Sequence, residues 1–339
     1  MITEQKRNKI IGVWLMLGVF MLLVQIFLGG VTRLTGSGLS ITEWKAIMGF
    51  IPPMNVQEWT IAFEKYKQFD QFRLVNSTIT LQEFKSLFFW EYIHRFWARF
   101  MGLCAFLPMI YFIIKKILLK KDILKLLLLI ALGGLAGIVG WIMVMSGLEA
   151  NKVLVNPFKL MFHLLIATLI IALTFRFALG YLYNKPMSNK NNATIVGFLV
   201  LVILQIGVGA LVAGSKAALA CNTFPLMNGS YYPNTIDFSV SYEASFNLLI
   251  QFIHRNIAFV IILYFIYLWI KTKHIDYRKF KLERTILALL IILQITLGII
   301  TVMSSKGNIP IFFAEIHQLG AYGVLLSTIA LQYFYKIKL

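Results

Sequence analysis

Eight stretches of the chain are apolar with few polar interruptions, at residues 11–31, 90–114, 123–145, 157–180, 193–213, 246–270, 285–303 and 311–334. Each approaches the ~20 residues that an α-helix needs to cross hydrocarbon. The first stretch exceeds the roughly 7–15 apolar residues of a signal peptide, so a retained helix is expected there. Helices two, four, six and eight each carry a histidine or arginine near their start. Polar groups in a membrane are costly and usually face a bundle interior at a functional position.

The apolar pattern repeats. Glu91-Tyr92-Ile93-His94-Arg95 returns as Gln251-Phe252-Ile253-His254-Arg255 at an offset of 160. Gly140 with Val144-Met145-Ser146 returns as Gly298 with Val302-Met303-Ser304 at 158, and His163 returns as His317 at 154. Gln25-Ile26 and Gly29 return as Gln205-Ile206 and Gly209 at 180, the extra length reflecting a longer first outer loop. Four helices per repeat keep the copies in one orientation, as in parallel-repeat transporters. The expected fold is an all-α membrane protein of eight transmembrane helices in two pseudo-symmetric four-helix bundles. Residues 1–185 would form the first bundle, with the long outer loop 32–89, and residues 186–339 the second.

Composition agrees. The 339 residues are 59% hydrophobic and 14% charged, too apolar for a soluble domain of this length. The formal charge of +18 does not indicate nucleic acid, because the basic residues lie between apolar runs. Segments 1–10, 115–125, 176–191, 271–284 and 335–339 hold 19 Lys and Arg against 4 acids; the opposite loops hold 9 against 8. The positive-inside rule puts the first set, with both termini, in the cytoplasm. Cys104 falls in an apolar run and Cys221 in a polar loop, so no disulfide is expected between them.

Of five histidines, His274 sits beside Lys273 in a basic loop and reads as solvated. His94, His163, His254 and His317 instead lie near the outer ends of the even-numbered helices, two per half. One membrane histidine is usually a hydrogen-bonded core residue; four at matched depth, paired by a repeat, argue for ligands. Neutral imidazole binds haem iron, copper and zinc. A bare ion would need more ligands than the second half offers, whereas two histidines on facing helices suit the axial positions of a haem. Phe96, Trp97, Phe162 and Phe252 fit pocket walls and fit ordinary packing equally well. Arg95 and Arg255 each follow a histidine and can pair with haem propionates or snorkel to the interface. Glu91 lies one helical turn before His94, with Gln251 as its counterpart. It is either a carboxylate favoured by a helix N-terminus or a catalytic acid, base or electrostatic stabiliser. The amide in the second half suggests one reactive pocket and one structural or electron-transfer pocket. Glu315, two residues before His317, reads as interfacial.

On longer motifs the chain resembles the haem A synthases. The run from Gly29 through Val31-Thr32-Arg33-Leu34-Thr35-Gly36-Ser37-Gly38 to Ile41-Thr42-Glu43-Trp44-Lys45 is similar to the family's first outer loop. Phe63-Glu64-Lys65-Tyr66-Lys67, Gly209-Ala210-Leu211-Val212-Ala213-Gly214, Asn222-Thr223-Phe224-Pro225-Leu226-Met227 and both His-Arg motifs match as well. The branch resembled lacks the outer-loop cysteine pair. Lys216 and Cys221 depart from the family pattern in the third outer loop.

The resemblance implies oxidation of a haem O methyl group to a formyl group, by successive hydroxylations and loss of water, to supply haem A to a terminal oxidase. It implies that His254 and His317 ligate a resident haem b, while His94 and His163 flank the substrate haem O, with Glu91 assisting. A bacterial cytoplasmic (inner) membrane is the expected location. Expected partners are membrane lipid, haem O, haem O synthase and an unidentified electron donor; the oligomeric state is open, a homo-oligomer included. Two other classes remain: a di-haem b-type electron-transfer cytochrome, which needs equivalent ligand pairs, and a transporter, which leaves the histidines unexplained.

Overall fold

A computed structural model describes residues 3–43, 50–183 and 192–338. The division expected at 185/186, and Trp44-Lys45 at the end of the first-loop motif, lie outside the described residues. The described chain forms helices and loops without a β-strand. The helices are α1 (Glu4–Leu34), α2 (Val56–Lys67), α3 (Asp70–Leu74), α4 (Leu81–Ile114), α5 (Lys120–Met145), α6 (Pro157–Tyr183), α7 (Ala193–Gly214), α8 (Tyr242–Thr272), α9 (Arg278–Ser304) and α10 (Ile311–Lys338). Seven of them, α1 and α4 to α9, are long and apolar enough to cross a membrane. The eighth apolar stretch, 311–334, falls within the 28-residue α10.

Several helices begin earlier than hydropathy indicates, because capping chemistry and not apolarity sets their ends. Thr80 caps α4: its hydroxyl accepts the Glu83 N–H, and the Glu83 carboxylate accepts the Thr80 N–H at 2.8 Å. The helix expected from residue 90 therefore starts at Leu81. Ser241 accepts the Ala244 N–H and starts α8 at Tyr242; Asn192 accepts the N–H groups of Thr194 and Ile195 and caps α7, which begins where hydropathy indicates.

The chain divides into two compact units, one of residues 24–163 and one of residues 1–23 with 164–339. The first contains His94 and His163, the second His254 and His317. In the 24–163 unit the long outer loop is a folded element in its own right. Phe63 and Tyr66 of α2 are buried against Phe84 and Phe88 of α4. Phe84 stacks on Phe63 and Tyr66 at centroid distances of 5.0 and 5.2 Å, and Trp59 meets Phe88 edge-on at 5.0 Å. The buried Tyr66 hydroxyl donates to Gln71 Oε1 (3.0 Å) and accepts from Asn76 Nδ2 (2.7 Å). Burial pushes this phenol above its ordinary pKa, so it stays protonated. Gln71 Nε2 in turn donates to the Gly36 carbonyl at 2.9 Å, tying α3 to the segment after α1.

In the other unit α10 packs against α9 and α7, and α7 against α8. Thr168 of α6 shares a buried hydroxyl hydrogen bond with Tyr322 of α10 at 3.2 Å. In each unit a long helix (α4 or α8) thus presents its histidine in its fourth turn, and a second helix (α6 or α10) in its second turn.

Candidate functional site

The histidine pair of α8 and α10 is resolved most directly. The rings of His254 and His317 stand 6.4 Å apart between centroids and 80° apart in plane. His317 Nδ1 lies 3.1 Å from the Gln294 carbonyl of α9. A carbonyl only accepts, so this nitrogen carries the proton and the Nε2 lone pair is free for a metal. Two imidazole nitrogens each about 2 Å from one metal ion hold their ring centroids roughly 6–6.5 Å apart. The spacing therefore fits two axial ligands of one iron.

The α4 and α6 pair is built alike. His163 Nδ1 lies 3.0 Å from the Ala136 carbonyl of α5, which assigns its proton in the same way. Among the described residues, no group of three or more His, Cys, Asp or Glu side chains is arranged to hold a bare metal ion. A haem, whose porphyrin supplies the equatorial donors, needs no more than two from the protein.

Each of the four imidazoles abuts one glycine of the preceding apolar span. A β-carbon built on Gly29 would lie 3.1 Å from His94 Nε2, and on Gly140 2.9 Å from His163 Cε1. On Gly209 it would lie 3.1 Å from His254 Cε1, and on Gly298 3.0 Å from His317 Cε1. These are closer than carbon atoms normally pack. The four glycines are thus the space in which the rings stand. They recur in the internal repeat, so their importance was visible in the sequence; their partners were not.

Glu91 and Arg95 form a clasp. Glu91 is 2% exposed. Its Oε2 accepts from Ser40 Oγ at 2.8 Å and from the Ile41 N–H at 2.7 Å, and its Oε1 pairs with Arg95. Arg95 also donates to the carbonyls of Ile41 (3.0 Å) and Glu43 (3.2 Å). Of the two readings of Glu91, the structure excludes a carboxylate stabilised by a helix N-terminus. Glu91 sits about three turns into α4, beyond the single turn over which a helix end acts, and its partners are Arg95 and the outer loop.

The repeat equivalents bind their own outer loop at one carbonyl. Gln251 Nε2 donates to Cys221 O at 2.8 Å and Arg255 Nη2 to the same oxygen at 3.4 Å. Nε and Nη1 of Arg255 and Oε1 of Gln251 remain buried without a partner. Buried guanidinium donors with no acceptor are costly, and they suit an anionic group such as a propionate. Cys221 is buried and, like Cys104, a free thiol. Lys216 adopts a left-handed backbone (φ 55°) at the start of the Ala217–Leu219 turn. Glu315 is buried at 3% exposure. His274 is exposed.

Comparison with known proteins identifies the family. A profile of the cytochrome oxidase assembly protein family, COX15-CtaA, matches residues 12–329. A protein named "Heme A synthase" from Nitrosomonas eutropha is 40% identical over 335 residues, covering 95% of this chain and 92% of the relative. Proteins of the same name from Pelagibacter ubique (38% identical, 96% of each chain) and Rickettsia africae (37%, covering 97% and 98%) are similar over equal lengths. With a family match that takes in all four histidines and relatives aligned over nearly their whole length, the chain belongs to the COX15-CtaA family of haem A synthases.

Proposed function

We propose that this protein is a multi-pass membrane oxidoreductase that converts haem O to haem A. A methyl substituent of the substrate is oxidised to a formyl group through two hydroxylations and loss of water from the gem-diol. The observation that carries the reading is the presence of two histidine pairs, one per unit, with glycine-backed imidazoles and unequal surroundings.

In this reading His254 and His317 would hold a resident haem b, which would supply iron-centred redox chemistry when bound. The 6.4 Å ring spacing and the free Nε2 of His317 support it. Arg255 offers its two unpartnered donors to a propionate. His94 and His163 flank haem O. Glu91 is held one turn from His94 with donors on both carboxylate oxygens, which favours electrostatic stabilisation over proton shuttling. Arg95 orients Glu91 and fixes the loop over the site. The surrounding architecture is eight spans in two four-helix bundles divided near 185/186, with both termini cytoplasmic in the bacterial inner membrane. Haem O synthase and an electron donor are the expected partners.

The test is co-expression with a haem O synthase, followed by chromatography of extracted haems. Haem A should appear beside haem b. A preparation holding haem b alone, with haem O available, would favour the electron-transfer cytochrome. His254→Ala and His317→Ala should each lose the resident haem spectrum; wild-type haem content in either refutes the ligand assignment.

A further inference from the structure

The two halves differ in how firmly the second ligand of each pair is held. In the C-terminal half His317 and Gln294 are joined twice. His317 Nδ1 donates to the Gln294 carbonyl, and Gln294 Nε2 donates back to the His317 carbonyl at 2.6 Å. One bond fixes the rotation of the ring; the other pins the turn of α10 that carries it to α9. In the N-terminal half Ala136 holds the position of Gln294 at the repeat offset of 158. It keeps the carbonyl contact to His163 and has no side-chain donor to return.

Space for the glutamine is specific to that half too. A β-carbon on Gly320 would lie 2.3 Å from Gln294 Oε1, so the amide in its present position occupies space that the glycine leaves open. At the repeat offset of 154, Ile166 stands in place of Gly320. Glutamine with glycine in one half is therefore exchanged for alanine with isoleucine in the other. Packing alone does not account for a glutamine here. Its Oε1 is buried without a partner, a cost that an apolar side chain of equal size avoids. On the other ligand of the same pair, Gln205 Nε2 donates to the His254 carbonyl at 3.0 Å.

We propose that Gln294, accommodated by Gly320, is a positioning residue that makes the C-terminal haem site a retaining site, and that Ala136 leaves the N-terminal site able to release its haem. This rests on the assignment of His254 and His317 to a resident haem. A site that keeps its cofactor gains from a doubly fixed ligand. A site that must discharge its product gains from a ligand whose helical turn is not pinned to the neighbouring helix, so that ring and turn move together once the single ring hydrogen bond breaks.

The experiment measures haem loss from the purified, detergent-solubilised protein to excess apoglobin, followed by absorbance. Gln294→Met keeps the volume and removes the donor; it should lose haem b about five- to tenfold faster than wild type, the equivalent of one hydrogen bond. Its ferric low-spin EPR signal should also broaden as the unpinned turn of α10 lets the His317 ring sample more orientations, which a change confined to packing elsewhere would not produce. The converse variant, Ala136→Gln with Ile166→Gly, should co-purify with more haem O and haem A after co-expression with haem O synthase. It decides the matter if Gln294→Met does not fold. Wild-type loss rate and EPR signal in Gln294→Met, or unchanged haem O and haem A in the converse variant, overturn the proposal. If His317→Ala retained its haem, the ligand assignment would fail; if only Gln294→Met behaved as wild type, the assignment would stand without the positioning role.

Discussion

Replacing Gly298 with alanine tests the glycine-backed ligand geometry at one atom. The new β-carbon would sit 3.0 Å from His317 Cε1 and 3.5 Å from each ring nitrogen. Carbon atoms pack best at about 3.5–4.0 Å, so the ring must retreat by roughly half an ångström or more. It cannot retreat freely, since Nδ1 is bonded to the Gln294 carbonyl at 3.1 Å and the His254 ring stands 6.4 Å away between centroids. Overpacking of this kind costs about 1–3 kcal/mol, which corresponds to about a 5- to 150-fold loss of haem affinity. The assay is haem stoichiometry and the low-spin visible spectrum of purified protein. Gly180→Ala is the control, because nothing lies within 4 Å of its β-position; it should keep full haem. If Gly298→Ala matched wild type in haem content and spectrum, the glycine would not be setting the position of the ligand.

Other outcomes follow from the same geometry. Glu91→Gln keeps the shape of the clasp and removes its charge, so haem b content should hold while haem A formation falls, about 100-fold if the carboxylate stabilises developing charge; normal haem A accumulation would remove Glu91 from the chemistry. Tyr66→Phe strips the outer loop of its buried bonds to Gln71 and Asn76 and should destabilise it by about 1–3 kcal/mol. Limited proteolysis within 50–80 should then quicken, and an unchanged cleavage rate would argue against that buried network. Cys221→Ala should leave haem content near wild type, because Gln251 and Arg255 bind the Cys221 backbone carbonyl and not its sulfur; loss of haem in this variant would assign the thiol a role.

The long outer loop shows where sequence reading stopped. Hydropathy marks 32–89 only as the stretch between two spans, and α2 and α3 are invisible to it. What builds them is Asn55 capping α2 and Phe63 and Tyr66 at helical spacing, a short amphipathic signal that becomes decisive only once Phe84 and Phe88 extend α4 beyond its apolar run. Glu91 was legible as unusual from its exchange with Gln251. Its engagement with Ser40 and Ile41 was not, because those partners lie about fifty residues away and meet it only when the loop folds back.

By itself the sequence determined the helical membrane class, the internal repeat and the four histidines with their recurring glycines. Length of apolar run and residue spacing are local quantities, and the cost of burying polar groups in lipid constrains them strongly. Only the tertiary structure decided which glycine backs which imidazole, which ring nitrogen is committed to a carbonyl, and that one ligand is clasped twice by Gln294 while its counterpart meets Ala136 once. Those are contacts between helices, fixed by packing at sub-ångström tolerance, and no periodicity along a single chain encodes them. The histidines were equivalent as a pattern; their hydrogen-bonded neighbours on adjacent helices make the two sites different.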